Sequence, residues 1–131
     1  MSVSSISRPA STGAGDTALP RAAGLGPSPR LRLARLARDT ALRVGGVLAL
    51  ASGEDGRFAV VSGDERIDGV LCVATAGGGY DVGVRLVCAL VPLIELGDRV
   101  RAQVEESATA AGLPLATVSV HVAGVAAPGE L

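Results

Sequence analysis

The apolar positions of this chain fall into four runs with two different periods. From Leu31 to Val44, the residues Leu33, Leu36, Ala37, Thr40, Ala41 and Val44 recur at steps of three and four and share one face of a predicted helix. Arg32, Arg35, Asp39 and Arg43 lie opposite, and Gly45-Gly46-Val47 ends the helix. From Val70 to Val91 the period drops to two. Val70, Cys72 and Ala74 alternate along one strand, Gly77-Gly78-Gly79 supplies a turn, and Val82, Val84, Leu86 and Cys88 alternate along a second strand from Tyr80 to Leu90. A three-residue loop pairs position 72 with 84 and position 70 with 86. A two-residue loop would set Arg85 against Val70 and break the pattern.

The period then returns to that of a helix. Leu93, Leu96, Val100, Val104, Ala108 and Ala111 share a face, with Glu95, Asp98, Arg99, Glu105 and Glu106 on the others. Pro92 stands where a helix start tolerates proline, and Gly112 followed by Pro114 is a stop signal. Gly97 is a flaw in this helix, costing about 1 kcal/mol relative to alanine, which a closely approaching packing partner would explain. The last run has period two again: Val118, Val120 and Val122 alternate with Thr117, Ser119, His121 and Ala123 in a half-buried strand.

Between Leu48 and Gly69 the pattern is weakest. Phe58-Ala59-Val60-Val61 reads as a short strand or a tucked loop, and Asp64, Glu65 and Asp68 as a charged surface loop without the distal glutamate of a calcium loop. Gly53-Glu54-Asp55-Gly56 fits the form of a phosphate-clamping G-x-x-G loop, but two carboxylates at its centre would repel that ligand, so it reads as an acidic turn. The expected fold is α+β in the order α-β-β-α-β: a small mixed sheet of three or four strands with both helices on its even-numbered face. The second hairpin strand, the second helix and the last strand form a β-α-β unit.

Composition narrows the class. The chain has 131 residues, enough for one domain, with one Phe, one Tyr and no Trp, so valine, leucine and alanine must build the core. The formal net charge is −1, which gives no global attraction to nucleic acid or membrane. Cys72 and Cys88 form no C-x-x-C and read as reduced core thiols. Residues 1–30 are rich in Ser, Ala, Gly and Pro, have no apolar signal-peptide core, and read as a disordered arm; residues 126–131 read as a flexible tail. The longest apolar stretch, Leu86–Ile94, is too short to span a membrane and is broken by Pro92.

The acidic amphipathic helix followed by V-S-V-H-V-A-G-V at Val118–Val125 resembles the C-terminal half of the alkaline shock protein family, the bacterial cell-envelope stress proteins, which close on a strand of the form V-x-V-H-V-x-G-V. The similarity extends over about residues 31–125, including the short Gly-Val step after the first helix. It implies an α/β domain of the order given above and a scaffolding role without chemistry. It also implies a cytoplasmic location, recruitment to the inner face of the membrane, and work alongside a membrane-anchored relative.

No catalytic set assembles from the sequence. His121 is the sole histidine, it stands among valines, and no Ser-His-acid or Cys-His grouping can be placed around it. No metal ligands, cofactor or small-molecule substrate are expected. The odd-numbered sheet face presents Leu71, Val73, Val87 and Ala89 with Arg85, Thr117, Ser119 and His121 around them, and neither helix remains to cover it. An apolar patch rimmed by polar groups is the form of a contact site, so these eight residues, or the sheet edge beside them, are the candidate protein-interaction face, for self-association or for a related subunit; the alternative is that Phe58–Val61 folds over the patch as an extra covering element. The competing reading is a small KH-like RNA-binding domain, favoured only by the arginine spacing of the first helix.

Overall fold

The computed structural model describes residues 28–127. Of the arm expected at residues 1–30 and the tail expected at 126–131, residues 1–27 and 128–131 lie outside the described residues. Among these the elements run α1 (Pro29–Arg43), β1 (Val47–Leu50), β2 (Ala59–Ser62), β3 (Glu65–Asp68), β4 (Val70–Ala74), β5 (Tyr80–Cys88), α2 (Leu93–Ala111) and β6 (Leu115–Val125). The class is α+β as expected. The order differs from α-β-β-α-β, because the weakly patterned segment before Gly69 contributes three further strands.

Helix α1 begins two residues earlier than the apolar period suggests. Ser28 is its N-cap, accepting a hydrogen bond at Oγ from the Leu31 amide at 3.2 Å, and Pro29 takes the first helical position, where its missing N–H costs nothing. Pro29 and Arg30, assigned to the arm by composition, therefore belong to the domain. Helix α2 has the bounds its pattern predicts. Gly112 adopts a left-handed φ of 69°, and its amide bonds back to the last turn.

Strand β5 is the centre of a four-stranded sheet. Along one edge, β6 pairs with it in parallel from Tyr80↔Leu115 to Cys88↔Val125. Along the other edge two short strands share its length: β4 covers Tyr80 to Val84 and β1 covers Leu86 to Cys88, both antiparallel. Strands β1 and β4 are thus two halves of one interrupted edge strand. The break falls at Arg85, whose carbonyl accepts from the Ala51 amide and whose amide donates to the Gly69 carbonyl. The chain between the halves leaves the sheet, forms the antiparallel β2–β3 hairpin, and returns at Gly69.

The β4–β5 hairpin closes two residues away from the expected register. Val70 pairs with Val84 and Cys72 with Val82, where the three-residue loop placed 70 against 86 and 72 against 84. The loop is five residues long because Thr75 ends the strand. Its Oγ1 accepts from the Gly79 amide at 3.2 Å, and its backbone amide donates to the Gly79 carbonyl at 2.8 Å. A slip of two keeps every side chain on its expected face, which is why the apolar pattern could not detect it.

Both helices cover the even-numbered face. Val70, Val82, Val84, Leu86 and Cys88 from the sheet, Leu33, Ala34, Ala37 and Ala41 from α1, and Leu96, Val100, Val104 and Ala108 from α2 form one buried core, which Val60 and Ile67 of the hairpin join. Gly97 faces Val120, but a Cβ there would sit 3.8 Å from Val120 Cγ1, an ordinary contact. The close approach expected to require this glycine is absent.

Candidate protein-interaction face

The eight residues selected from the sequence lie on the odd-numbered side of the sheet, and the structure divides them. Leu71 and Val87 are half-buried, as are Arg85 and Ala89. Val73 is 59 % exposed near the turn end of β4. Thr117, Ser119 and His121 are exposed along β6.

The expectation that nothing in the chain covers this face is corrected at its centre. The chain leaving β1 carries Phe58 across to the odd side, where its ring lies over Gly83. A Cβ at Gly83 would meet Phe58 Cζ at 3.2 Å, Ser119 Oγ at 3.5 Å and His121 Nε2 at 3.8 Å. Phe58 and His121 stack edge to face, with centroids 5.6 Å apart and planes at 72°. Only Phe58 folds over in this way. Val60, two residues on, is fully buried in the core, and Val61 is exposed. A glycine within an otherwise apolar strand marks a close approach of another group; Gly83 was the available signal for Phe58.

Polar contacts on this face are local. Thr117 Oγ1 donates to Asp81 Oδ1 at 2.6 Å, across the β5–β6 pair. Ser119 Oγ lies 3.3 Å from His121 Nε2. A serine–histidine pair becomes a nucleophile when a third group orients the imidazole from its other nitrogen. Here Asp81, the acid on this face, is engaged by Thr117, and both Ser119 and His121 are open to solvent. Among the described residues no cluster of His, Cys, Asp or Glu could hold a metal ion. Cys72 and Cys88 are buried free thiols. Burial pushes the Cys72 thiol up to about 11, and the same desolvation raises Cys88. Neither supplies a thiolate near neutral pH.

Three arginines of α1 are engaged within the fold. Arg30 donates to the Cys72 carbonyl at 3.3 Å and the Val61 carbonyl at 3.5 Å. Arg35 binds both oxygens of Glu65, with Nε at 2.8 Å from Oε2, and this hydrogen bonding holds the Glu65 carboxyl below its ordinary range. Arg38 pairs with Asp39. The Gly53–Gly56 segment is an acidic turn, as expected, closed by the Gly56 amide donating to the Gly53 carbonyl, with Asp55 Oδ1 accepting from the Arg57 amide.

The sheet edge beside this face is the outer edge of β6. Among the described residues β6 pairs only with β5, so its second edge is unpaired. The register shifts at both ends leave Ala116 and Ala123 as bulges, and the segment Thr117–Val122 between them is regular. It holds no charged residue and no proline. The second bulge also explains the spacing of the terminal motif. Inserting Ala123 lets Gly124 pair with Val87 and returns Val125, opposite Cys88, to the same side as Val122. Val122 is 41 % and Val125 45 % exposed.

No family model matches the chain, and no curated protein or solved structure matches it. No helix among the described residues is long and apolar enough to cross a membrane.

Proposed function

We propose that the protein is a non-catalytic scaffold of the cell-envelope stress type, related to the alkaline shock proteins, and that it works by self-association through the outer edge of β6. The observation that carries this reading is the unpaired, uncharged segment Thr117–Val122. Exposed sheet edges are templates for pairing, and a protein that must stay monomeric blunts them with charge, proline or bulges. This edge carries bulges only at its ends. A second copy fits it, because antiparallel pairing of Thr117–Val122 with itself sets valine beside valine on the helix side and Thr, Ser and His beside each other on the opposite side. A formal net charge of −1 puts little repulsion between two copies. Thr117, Ser119 and His121 extend the contact onto the odd-numbered face beside Phe58.

A related subunit with a similar terminal strand would dock in the same way. A membrane-anchored relative of that kind would bring this otherwise cytoplasmic protein to the inner face of the membrane. Self-association in this reading requires no nucleic acid, cofactor or small molecule.

Light scattering after size exclusion of the full chain tests the proposal. The wild type is expected to increase in mass with concentration, and Thr117→Lys and Val122→Lys to remain folded and monomeric, since lysine on an edge strand opposes pairing. A wild type that remains monomeric at high concentration contradicts it.

A further inference from the structure

A separate cleft lies in the helix layer, between the C-terminal end of α1 and the middle of α2. It is lined by Thr40, Arg43, Val44, Gly45, Arg99 and Gln103, with a volume of about 230 Å³. No carboxylate is among the lining residues. Asp39, next to Thr40 in sequence, is engaged by Arg38. Two guanidinium groups, one from each helix, therefore share the cleft with an amide.

The C-terminal end of a helix normally draws cations to its free carbonyls, and Arg43 in the last turn of α1 fits that role. Three carbonyls at and just past this end already have donors, however. Ala41 O accepts from the Val44 amide, Val44 O from the Val47 amide, and Gly45 O from Arg99 Nη2 at 3.3 Å. Most of the donor capacity of the two guanidinium groups is left over, since each offers five N–H bonds.

Thr40 is an independent indication. It is 4 % exposed, and its Oγ1 is buried without a hydrogen-bond partner. A threonine inside a helix ordinarily bonds the carbonyl four residues back, as Thr109 Oγ1 does to Glu105 O at 3.0 Å. Thr40 does not, although an unmet buried hydroxyl is costly. Guanidinium forks from two helices, an amide N–H and an unpaired hydroxyl are together the donor set of a tetrahedral oxyanion.

We propose that this cleft binds a phosphate-type oxyanion, with Arg43 and Arg99 as its principal donors and Thr40 Oγ1 as a third. The site is distinct from the β6 edge, and its test does not depend on oligomeric state.

Amide chemical shifts of the full chain would be followed during titration with sodium phosphate, with sodium chloride at matched ionic strength as the control. Saturable shifts at Gly45 and Gln103 are expected with phosphate and not with chloride. Arg43→Gln and Arg99→Gln should each weaken binding about tenfold or more, as expected for loss of a charge-assisted hydrogen bond. Thr40→Val should weaken binding while leaving the anion-free melting temperature unchanged or higher, because the hydroxyl it removes has no partner. A parallel titration with glycerol 3-phosphate separates a free inorganic ion from a phosphomonoester group. Tighter binding of one assigns the source, and saturable binding of either supports the site. Shifts that rise linearly, or that are the same in the wild type and Arg43→Gln, indicate general exclusion of phosphate from the surface and overturn the proposal.

Discussion

Gly69 is where the interrupted edge strand rejoins itself, and replacing it with alanine tests that architecture. Its φ is +82°. A Cβ placed there would overlap Leu50 Cβ and come within 2.9 Å of the Ala51 amide nitrogen and 3.1 Å of the Leu50 carbonyl carbon. These atoms belong to the chain leaving β1, which has Arg85 as its common partner with Gly69. The left-handed conformation costs about 1–2 kcal/mol for a residue with a Cβ. Relieving the overlap by moving backbone adds about 1–3 kcal/mol. The expected loss for Gly69→Ala is therefore about 2–5 kcal/mol, out of the total of about 5–15 kcal/mol typical of a domain. Gly63, at the tip of the β2–β3 hairpin, has φ +59° and no atom within 4 Å of its would-be Cβ. Gly63→Ala should lose only the conformational part, about 1–2 kcal/mol. Urea denaturation of both variants, with equal m-values, isolates the difference. The melting temperature of Gly69→Ala should fall by at least about 8 °C. Equal stability of the two variants would mean that β1 and β4 do not meet at Gly69.

Three further outcomes follow from the packing. Gly97→Ala should stabilise the domain by about 0.5–1 kcal/mol in the same denaturation assay, because the helix gains a better former and the new methyl meets Val120 at an ordinary distance. Val100→Asp places a charge at a fully buried position of α2 and should unfold the domain by circular dichroism, while Glu106→Lys on the exposed side should not. Arg35 depresses Glu65 in the folded state, so the pair's contribution is present above the ordinary glutamate range and is lost as pH falls through the depressed value. Glu65→Gln should flatten that acid limb of the stability–pH curve, an effect that weakens in high salt because both side chains are about a third exposed.

The long periodic segments were legible because a period repeated over several turns or strand residues leaves one solution. α2 kept its bounds from Leu93 to Ala111, and the even-numbered core of β4, β5 and β6 follows the alternation of valines except at the strand ends, where Ala74 and Val122 are exposed. The four-residue strands β1 and β3 were not legible and β2 was read only as a strand or a tucked loop, since each spans no more than two alternations beside a glycine. The register of the β4–β5 hairpin depends on Thr75 capping its own turn, a contact that hydrophobic pattern does not encode. The candidate face was found from the odd-numbered residues. Its partial covering by Phe58 depends on a chain reversal between β1 and β2, and Gly83 was the one local mark of it. The free edge of β6 is a property of strand order, which no single strand's sequence carries.

Amide hydrogen exchange along β6, measured on the full chain as a function of protein concentration, tests self-association at this edge most directly. Exchange-competent amides on the outer edge of Thr117–Val122 should gain protection as concentration rises, while the amides of β5, already paired on both sides, stay constant. Protection of Thr117–Val122 that is independent of concentration, or concentration-dependent protection elsewhere with none on β6, would contradict the account.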